Sequence, residues 1–377
     1  MRLLRLVAPA ALAASLGTGT ALATAAPLSD IPWLSESVTV TPGAPPARPA
    51  SAVPPQVRGT EEITVTPLGA ISKEAAGLLS PDVTGFSRGM WGTSDPAVLR
   101  ELIGGLSNSG VPEAQALFRR ILMAEAQPPR GSAEGGLLMT RIDRLLAMGA
   151  LSEAAALVEM AEADTPELFR RWFDIGLLTD AAEPPCQALR RNPTLSPTLP
   201  ARVFCLARGG DWNAAEITLT LGGEVGSISD DQYALLARFL DPELFEEEPE
   251  PPLADPLTPI DFLMREAIGL PRPAVTLPLA FLHHDLSPHA PMRMRVDAAE
   301  RLALEGSVSA DVLRDAYLAG KPAASGGIWS RAAAVQALIA ALETGSAAQI
   351  GPALIRADDA LAEGDLRTAF ARFEAEA

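Results

Sequence analysis

Apolar positions recur at helical spacing in two stretches of the chain that match almost position for position, residues 138–161 and 199–222. Each stretch has two limbs that meet at a glycine, and each limb carries apolar residues three or four positions apart, which is typical of an amphipathic α-helix. Arg141 in the first stretch is matched by Arg202 in the second. The matched apolar and glycine positions are Leu138, Ile142, Leu145, Gly149, Leu151, Ala154, Val158 and Ala161, against Leu199, Val203, Leu206, Gly210, Trp212, Ala215, Leu219 and Gly222.

A single helical hairpin cannot bury both of its apolar stripes, so such hairpins are expected to stack on one another. Related glycine turns near 306 and 364 indicate further hairpins, although their spacing is irregular. The pattern predicts an all-α fold, an irregular α-solenoid of helical hairpins. We expect an N-terminal helical lobe over 93–245, an acidic proline-rich loop over 246–257 and a C-terminal helical lobe over 258–377.

Two of the turns resemble tetratricopeptide-type repeats, in residues 149–154 and 364–369, but they lack the full tyrosine and proline pattern of that repeat. The chain is also similar to a group of exported alphaproteobacterial proteins whose name relates to antifreeze glycopeptide polyproteins. Three segments carry this second resemblance, at 31–35, 166–174 and 207–215. The name itself implies little, because antifreeze glycopeptides are long Ala-Ala-Thr arrays and this chain has no such array. A flat threonine-rich face is not indicated either, so we do not expect ice binding.

The N-terminus has the pattern of a secretory signal peptide. Arg2 and Arg5 precede an apolar run over 6–16, and small residues follow, with Ala23 and Ala25 at candidate cleavage sites. We therefore expect a signal peptide over 1–25 and a periplasmic location. The apolar run is too short to favour a membrane span, and the alternative is an uncleaved N-terminal anchor.

Residues 26–92 begin with a proline- and alanine-rich stretch that predicts a mostly disordered arm with short ordered islands. Two islands repeat Thr-Val-Thr-Pro, at 39–42 and 64–67, and could be strands or a coincidence of composition. A third island contains Ile31, Trp33 and Leu34. This apolar segment either docks a partner or folds back onto the helical body.

Charge limits the classes of partner. The chain has 30 basic and 47 acidic residues, a net charge of −17, which argues against contacts to nucleic-acid phosphates or to an anionic membrane surface. A protein or peptide is the expected partner, and no cofactor is indicated.

The two cysteines, Cys186 and Cys205, are 19 positions apart on segments predicted to be neighbouring antiparallel helices. In an oxidising compartment this arrangement predicts a structural disulfide, and the alternative is two buried thiols. Their spacing does not match a C-x-x-C redox motif.

All three histidines fall in one short stretch, which makes it the sharpest metal-site hypothesis. His283, His284, Asp285 and His289 could together ligate zinc or another divalent ion. However, adjacent residues on a helix point about 100° apart, and the chain must fold back to bring in His289. The alternative is that these are polar residues at a helix end.

A cluster of arginines and tryptophans could line a groove for an anionic ligand, with guanidinium groups binding the anion and indole rings stacking on it. The same arginines could instead pair with surface carboxylates. The candidate residues are Arg170, Arg171, Trp172, Arg202, Arg208 and Trp212, with Arg190 and Arg191 nearby.

Taken together, these patterns favour a non-enzymatic periplasmic scaffold or adaptor that binds a protein or peptide. The alternative is a metal- or anion-binding protein, or an enzyme, that uses the histidine cluster or the arginine groove. The sequence contains no Gly-x-Ser-x-Gly, Ser-x-x-Lys or His-Glu-x-x-His motif.

Overall fold

The computed structural model describes residues 31–34, 73–106, 111–130, 136–196, 198–245 and 249–370. These residues are helical, as predicted, and no β-strand occurs among them. The predicted signal peptide, the two Thr-Val-Thr-Pro islands and most of the arm lie outside the described residues. The α-helices are α1 (Pro81–Thr84), α2 (Pro96–Gly105), α3 (Pro112–Met123), α4 (Gly136–Ala147), α5 (Leu151–Met160), α6 (Pro166–Leu178), α7 (Glu183–Arg191), α8 (Leu199–Arg208), α9 (Trp212–Glu224), α10 (Asp230–Leu240), α11 (Pro259–Ala267), α12 (Met292–Leu304), α13 (Ala310–Leu318), α14 (Gly327–Thr344) and α15 (Ala347–Ala362).

Four short 3₁₀ helices connect or precede α-helices: Lys73–Ala75, Pro193–Leu195, Pro242–Phe245 and Leu279–Leu286. The last of these differs from the sequence pattern, which predicts an α-helix over 277–284. It begins after Pro278 and ends at Leu286, where Ser287 donates its backbone N–H to the carbonyl of His284. Among the described residues no helix combines the length and apolarity needed to cross a membrane.

Several helices begin where capping residues predict. The Asp95 carboxylate accepts hydrogen bonds from the backbone N–H groups of Ala97 and Val98, and Pro96 takes the first position of α2. Thr165 caps α6 in the same way through the N–H of Leu168. Such side chains satisfy N–H groups that have no partner within the helix, and proline fits there because it has no N–H to lose.

The predicted glycine turns are present between α4 and α5, between α8 and α9, and between α12 and α13. Gly149, Gly210 and Gly306 all have positive φ, at 73°, 84° and 63°. Each donates to a carbonyl three residues back, and the following residue donates to a carbonyl five residues back, which is the Schellman pattern that ends many helices. At the fourth predicted turn the left-handed position belongs to Asp365, with φ 58°, and the pattern is displaced by one residue from Gly364.

Helices that follow one another along the chain mostly pack against one another in space, from α4 through α11 and from α12 through α15. Contacts between helices further apart in the chain include that of α11 with α6. The helices from α6 to α11 therefore form a closed ring of contacts, and residues of α6, α8, α10 and α11 line the cleft described below.

Three large apolar clusters form the core, and two of them include helices on both sides of the 246–257 loop. Ile260 and Met264 of α11 share a cluster with α6 to α10, and Phe262 shares another with α4 and α5. Helices α12 to α15 have a separate cluster that includes Tyr317. The described part of the loop is held by arginines: Arg238 donates to the carbonyl of Pro249, and Arg265 to that of Pro251.

The predicted disulfide is confirmed, and the alternative of two thiols is wrong. Cys186 on α7 and Cys205 on α8 are bonded, with their Cα atoms 5.0 Å apart and both residues buried. The bond joins two helices that also pack against each other.

Candidate functional site

Residues 31–34 are bound by the helical body although the next described residue along the chain is Lys73. Ile31, Trp33 and Leu34 are 7%, 6% and 1% exposed and belong to the same apolar cluster as α4, α5 and α6. Arg170 of α6 donates to the backbone carbonyl of Leu34 at 2.7 Å. The fold-back interpretation of this segment is therefore confirmed for its described residues.

Phe281 and Arg170 contact this segment directly, and Phe262 packs against Phe281; we name this site the segment groove. The Trp33 ring meets the Phe281 ring edge to face, with centroids 5.5 Å apart. Phe281 in turn meets Phe262 of α11 edge to face at 5.4 Å. Edge-to-face pairs place the positive edge of one ring on the negative face of the next, which adds orientation to simple apolar burial.

A cleft of about 610 Å³ adjoins the segment groove, and Pro32 and Leu34 form part of its wall. It lies where the N-terminal ends of α8, α10 and α11 meet the loop before α11, beside Phe173 of α6. Its volume is in the range of cavities that hold drug-sized ligands or a few residues of a peptide. Its other lining residues are Thr198, Leu199, Pro200, Ala201, Gly226, Ser227, Ile228, Ser229, Asp231, Gln232, Leu235, Pro252, Ala254, Asp255, Pro256, Thr258, Ile260, Asp261 and Arg265.

Asp261 is the buried carboxylate of this cleft, only 5% exposed. Thr258 donates its hydroxyl to one oxygen at 2.6 Å, and Gln232 donates its amide to the other at 3.5 Å. Burial raises the pKa of Asp261, while these hydrogen bonds and the charge of Arg265 oppose that rise. The wall thus combines hydroxyl, amide and carboxylate groups with apolar side chains, a mixture suited to peptide backbone and side chains together.

The structure does not bring the four predicted metal ligands together. His283 bonds the carbonyl of Gly149 through Nε2 at 2.6 Å, and His284 pairs with Glu266 at 2.6 Å. Both oxygens of Asp285 accept from Arg272, at 2.6 and 2.7 Å. His289 is exposed. Within the described ranges no three His, Cys, Asp or Glu side chains form a group that could hold a metal ion.

The two adjacent histidines have pKa values displaced in opposite directions. Burial lowers the pKa of His283, and its bond to the Gly149 carbonyl only partly offsets this. The hydrogen bond with Glu266 raises the pKa of His284, and the charges of Glu266 and Asp285 add to that rise, while burial and Arg272 oppose it. The same pairing lowers the pKa of Glu266. In the described structure both histidines make polar contacts that join separate elements, His283 with the turn at Gly149 and His284 with Glu266 of α11.

The predicted arginine groove divides between several places. Arg171 is fully buried and donates twice to the Asp143 carboxylate, at 2.5 and 2.6 Å, while the neighbouring Arg170 lies in the segment groove. Trp172 is half-buried and packs against Phe169 at 6.3 Å. These three consecutive residues face three different environments, because successive positions on a helix are about 100° apart.

The remaining candidates lie around α7 to α9. Arg202 donates to the carbonyls of Ser196 and Pro193, and Arg208 approaches Glu183 at 3.7 Å. Arg190 also bonds Glu183, at 2.8 Å, and this is the one place where candidate arginines meet. Trp212 is 50% exposed and contacts Phe239. Side-chain pairing and bonds to backbone carbonyls thus account for the described contacts of these arginines.

No pattern in the sequence singles out the cleft. Most of its polar groups come from the first turns of three helices that begin 29 to 60 positions apart in sequence. Only the capping residues gave a local signal, Ser229 before α10 and Thr258 before α11. Comparisons of this chain with protein-family models, with curated proteins and with solved structures found no match.

Proposed function

We propose that this protein is a non-enzymatic periplasmic scaffold or adaptor whose helical hairpins, stacked as an irregular solenoid, bind a short segment of a partner protein. The observation that carries the proposal is the binding of residues 31–34. Three apolar side chains and a backbone carbonyl of an otherwise separate segment are held by the helical body, beside a cleft with room for more residues. Sites that recognise peptides use pockets for apolar side chains and hydrogen bonds to the peptide backbone.

A pair of serine variants tests whether the cleft binds the partner. Ser227 is exposed and lines the cleft, so Ser227→Arg places a long charged side chain in it. Ser309 is also exposed and lies just before α13, away from the cleft lining, so Ser309→Arg is the matched control. Each full-length exported chain would be used to capture periplasmic proteins, with identification by mass spectrometry. We expect a defined protein to be lost with Ser227→Arg and retained with Ser309→Arg. Equal capture by both variants would rule out the cleft as the binding surface.

The periplasmic part of the proposal has its own test. We expect the chain in a periplasmic fraction to begin after Ala23 or Ala25, as N-terminal sequencing would show. An intact N-terminus in the cytoplasmic fraction would contradict export.

A further inference from the structure

The contacts of residues 31–34 have the form of a peptide ligand in a binding site. A single tryptophan is the central anchor, 6% exposed and placed edge to face on Phe281. One charged donor, Arg170, fixes the backbone at the Leu34 carbonyl. Binding energy in peptide and protein interfaces is concentrated in such buried tryptophans and arginines.

The elements that form the segment groove are distant in sequence from residues 31–34. Its walls come from α6 and the 3₁₀ helix Leu279–Leu286, with α11 packed behind them, and all three lie more than 130 positions further along the chain. These three elements pack against one another directly, α6 against both of the others. Phe262 and Phe281 contact each other as well as the shared core. The walls therefore have a framework of contacts that does not depend on Trp33.

We propose that the segment groove is a binding site for a short apolar peptide centred on Pro-Trp-Leu, that residues 31–34 occupy it as an internal ligand, and that a partner segment of the same chemistry enters by displacing them. This inference rests on the proposed scaffold function and names the chemistry of its partner. The internal ligand makes the site competitive, because an external segment must bind well enough to replace one attached to the same chain.

A cleavable chain tests the proposal without altering the core. A specific protease site is inserted after Gly43, outside the described residues, and the full chain is cut after folding. We expect the N-terminal fragment to remain bound at first and to dissociate on dilution, while circular dichroism shows that the helical body stays folded. A labelled synthetic peptide of residues 27–38 should then bind the emptied body, with fluorescence anisotropy as the readout.

Sequence changes in the peptide and the body give matched comparisons. The Trp33→Ala peptide should bind at least about 30-fold more weakly, the loss expected for a central tryptophan anchor. Arg170→Met in the body should weaken binding about tenfold, because a charged donor to a buried carbonyl is removed. Trp212→Ala, a half-exposed tryptophan outside the groove, should leave binding unchanged.

Three outcomes would overturn the inference. The first is loss of helical structure together with loss of the fragment, which would make residues 31–34 an integral part of the core. The second is a folded, emptied body that does not bind the peptide. The third is a dimer held by exchanged segments, seen by light scattering in the uncut protein. If peptide exchange fails while Ser227→Arg still removes a partner, the scaffold function stands and only this inference falls.

Discussion

Arg141 and Arg202 occupy equivalent positions in the two matched hairpins, but their surroundings differ, and this difference predicts very different effects of the same substitution. Arg141 is fully buried and donates to three backbone carbonyls, those of Leu122, Ala76 and Ala124, at 2.7, 2.8 and 2.8 Å. Arg202 is half-buried and donates to two, at 2.9 and 3.0 Å. We predict that Arg141→Met destabilises the protein far more than Arg202→Met.

The expected loss of stability depends on which groups lose a hydrogen bond or a neighbouring charge in each variant. Two of the three carbonyls lie at the C-terminal end of α3, where a positive charge is favoured by the helix dipole. Without Arg141 these carbonyls have no replacement donor from solvent, and the buried Glu74 loses the charge that faces it. Burial lowers the pKa of Arg141 to about 10, so it remains charged at neutral pH. We expect a loss of about 4 kcal/mol for Arg141→Met, in the range measured when one partner of a buried charge pair is removed.

Water can replace the donors of Arg202 because that site is partly open, so we expect Arg202→Met to cost about 1 kcal/mol. Urea unfolding followed by far-ultraviolet circular dichroism would give both values. A double-mutant cycle with Glu74→Gln isolates the electrostatic part, and the combined loss should be smaller than the sum of the two single losses. Equal destabilisation by the two arginine variants, or a loss below about 1 kcal/mol for Arg141→Met, would refute this account.

Three further predictions concern the pH dependence, the disulfide and two glycines. The pKa of His284 is raised in the folded state, so its ion pair with Glu266 contributes stability below the unfolded-state pKa of about 6.5. This contribution is lost as pH rises through the folded-state pKa. The melting temperature of His284→Gln should therefore fall furthest below wild type in acid. The lowered pKa of His283 favours the neutral ring, so the melting temperature of His283→Asn should differ most from wild type above the unfolded-state pKa of about 6.5. Parallel pH profiles would contradict both predictions. Replacing both bonded cysteines by serine should lower the free energy of unfolding in urea by about 3 kcal/mol for a loop of this length. Reduction of the wild type should cause the same loss, and reduction of the variant should cause none. Gly77→Ala should be severely destabilising in thermal unfolding because the new Cβ would lie 2.2 Å from a backbone nitrogen. Gly105→Ala, in the exposed part of α2, meets no atom within 4 Å and should stabilise the protein by up to about 1 kcal/mol. Similar effects of the two substitutions would show that the space around each glycine does not determine the change in stability.

The parts of the fold that could be predicted are those fixed by neighbouring residues. Asp95 and Thr165 mark helix starts because a capping side chain bonds an N–H group two or three residues on. Gly149 and Gly210 mark helix ends because the left-handed conformation strongly favours glycine. Asp365 takes the same position without being glycine, which is why the sequence placed that turn one residue early.

The parts that could not be predicted depend on which elements meet. Apolar spacing shows that α11 has a buried face, but it does not show that this face returns to α6 and closes a ring. The cleft arises only from that closure, since the first turns of α8, α10 and α11 come together through it. The histidine stretch illustrates the converse case: residues adjacent in sequence point at Gly149, at Glu266 and at Arg272. The stacking of the hairpins as a solenoid stays a prediction.

The use of arginine in this chain also depends on tertiary contacts. Arg141, Arg170, Arg202, Arg238 and Arg265 all donate to backbone carbonyls, most of them in loops or at helix ends. A guanidinium group can serve several carbonyls at once because its five donors lie in one plane, whereas an ammonium group is a single point of charge. These five guanidinium groups thus hold irregular backbone against helices, and Arg170 holds residues 31–34 by the same kind of contact. The partner segment that we propose would make the same contact, through an exposed carbonyl beside an apolar anchor.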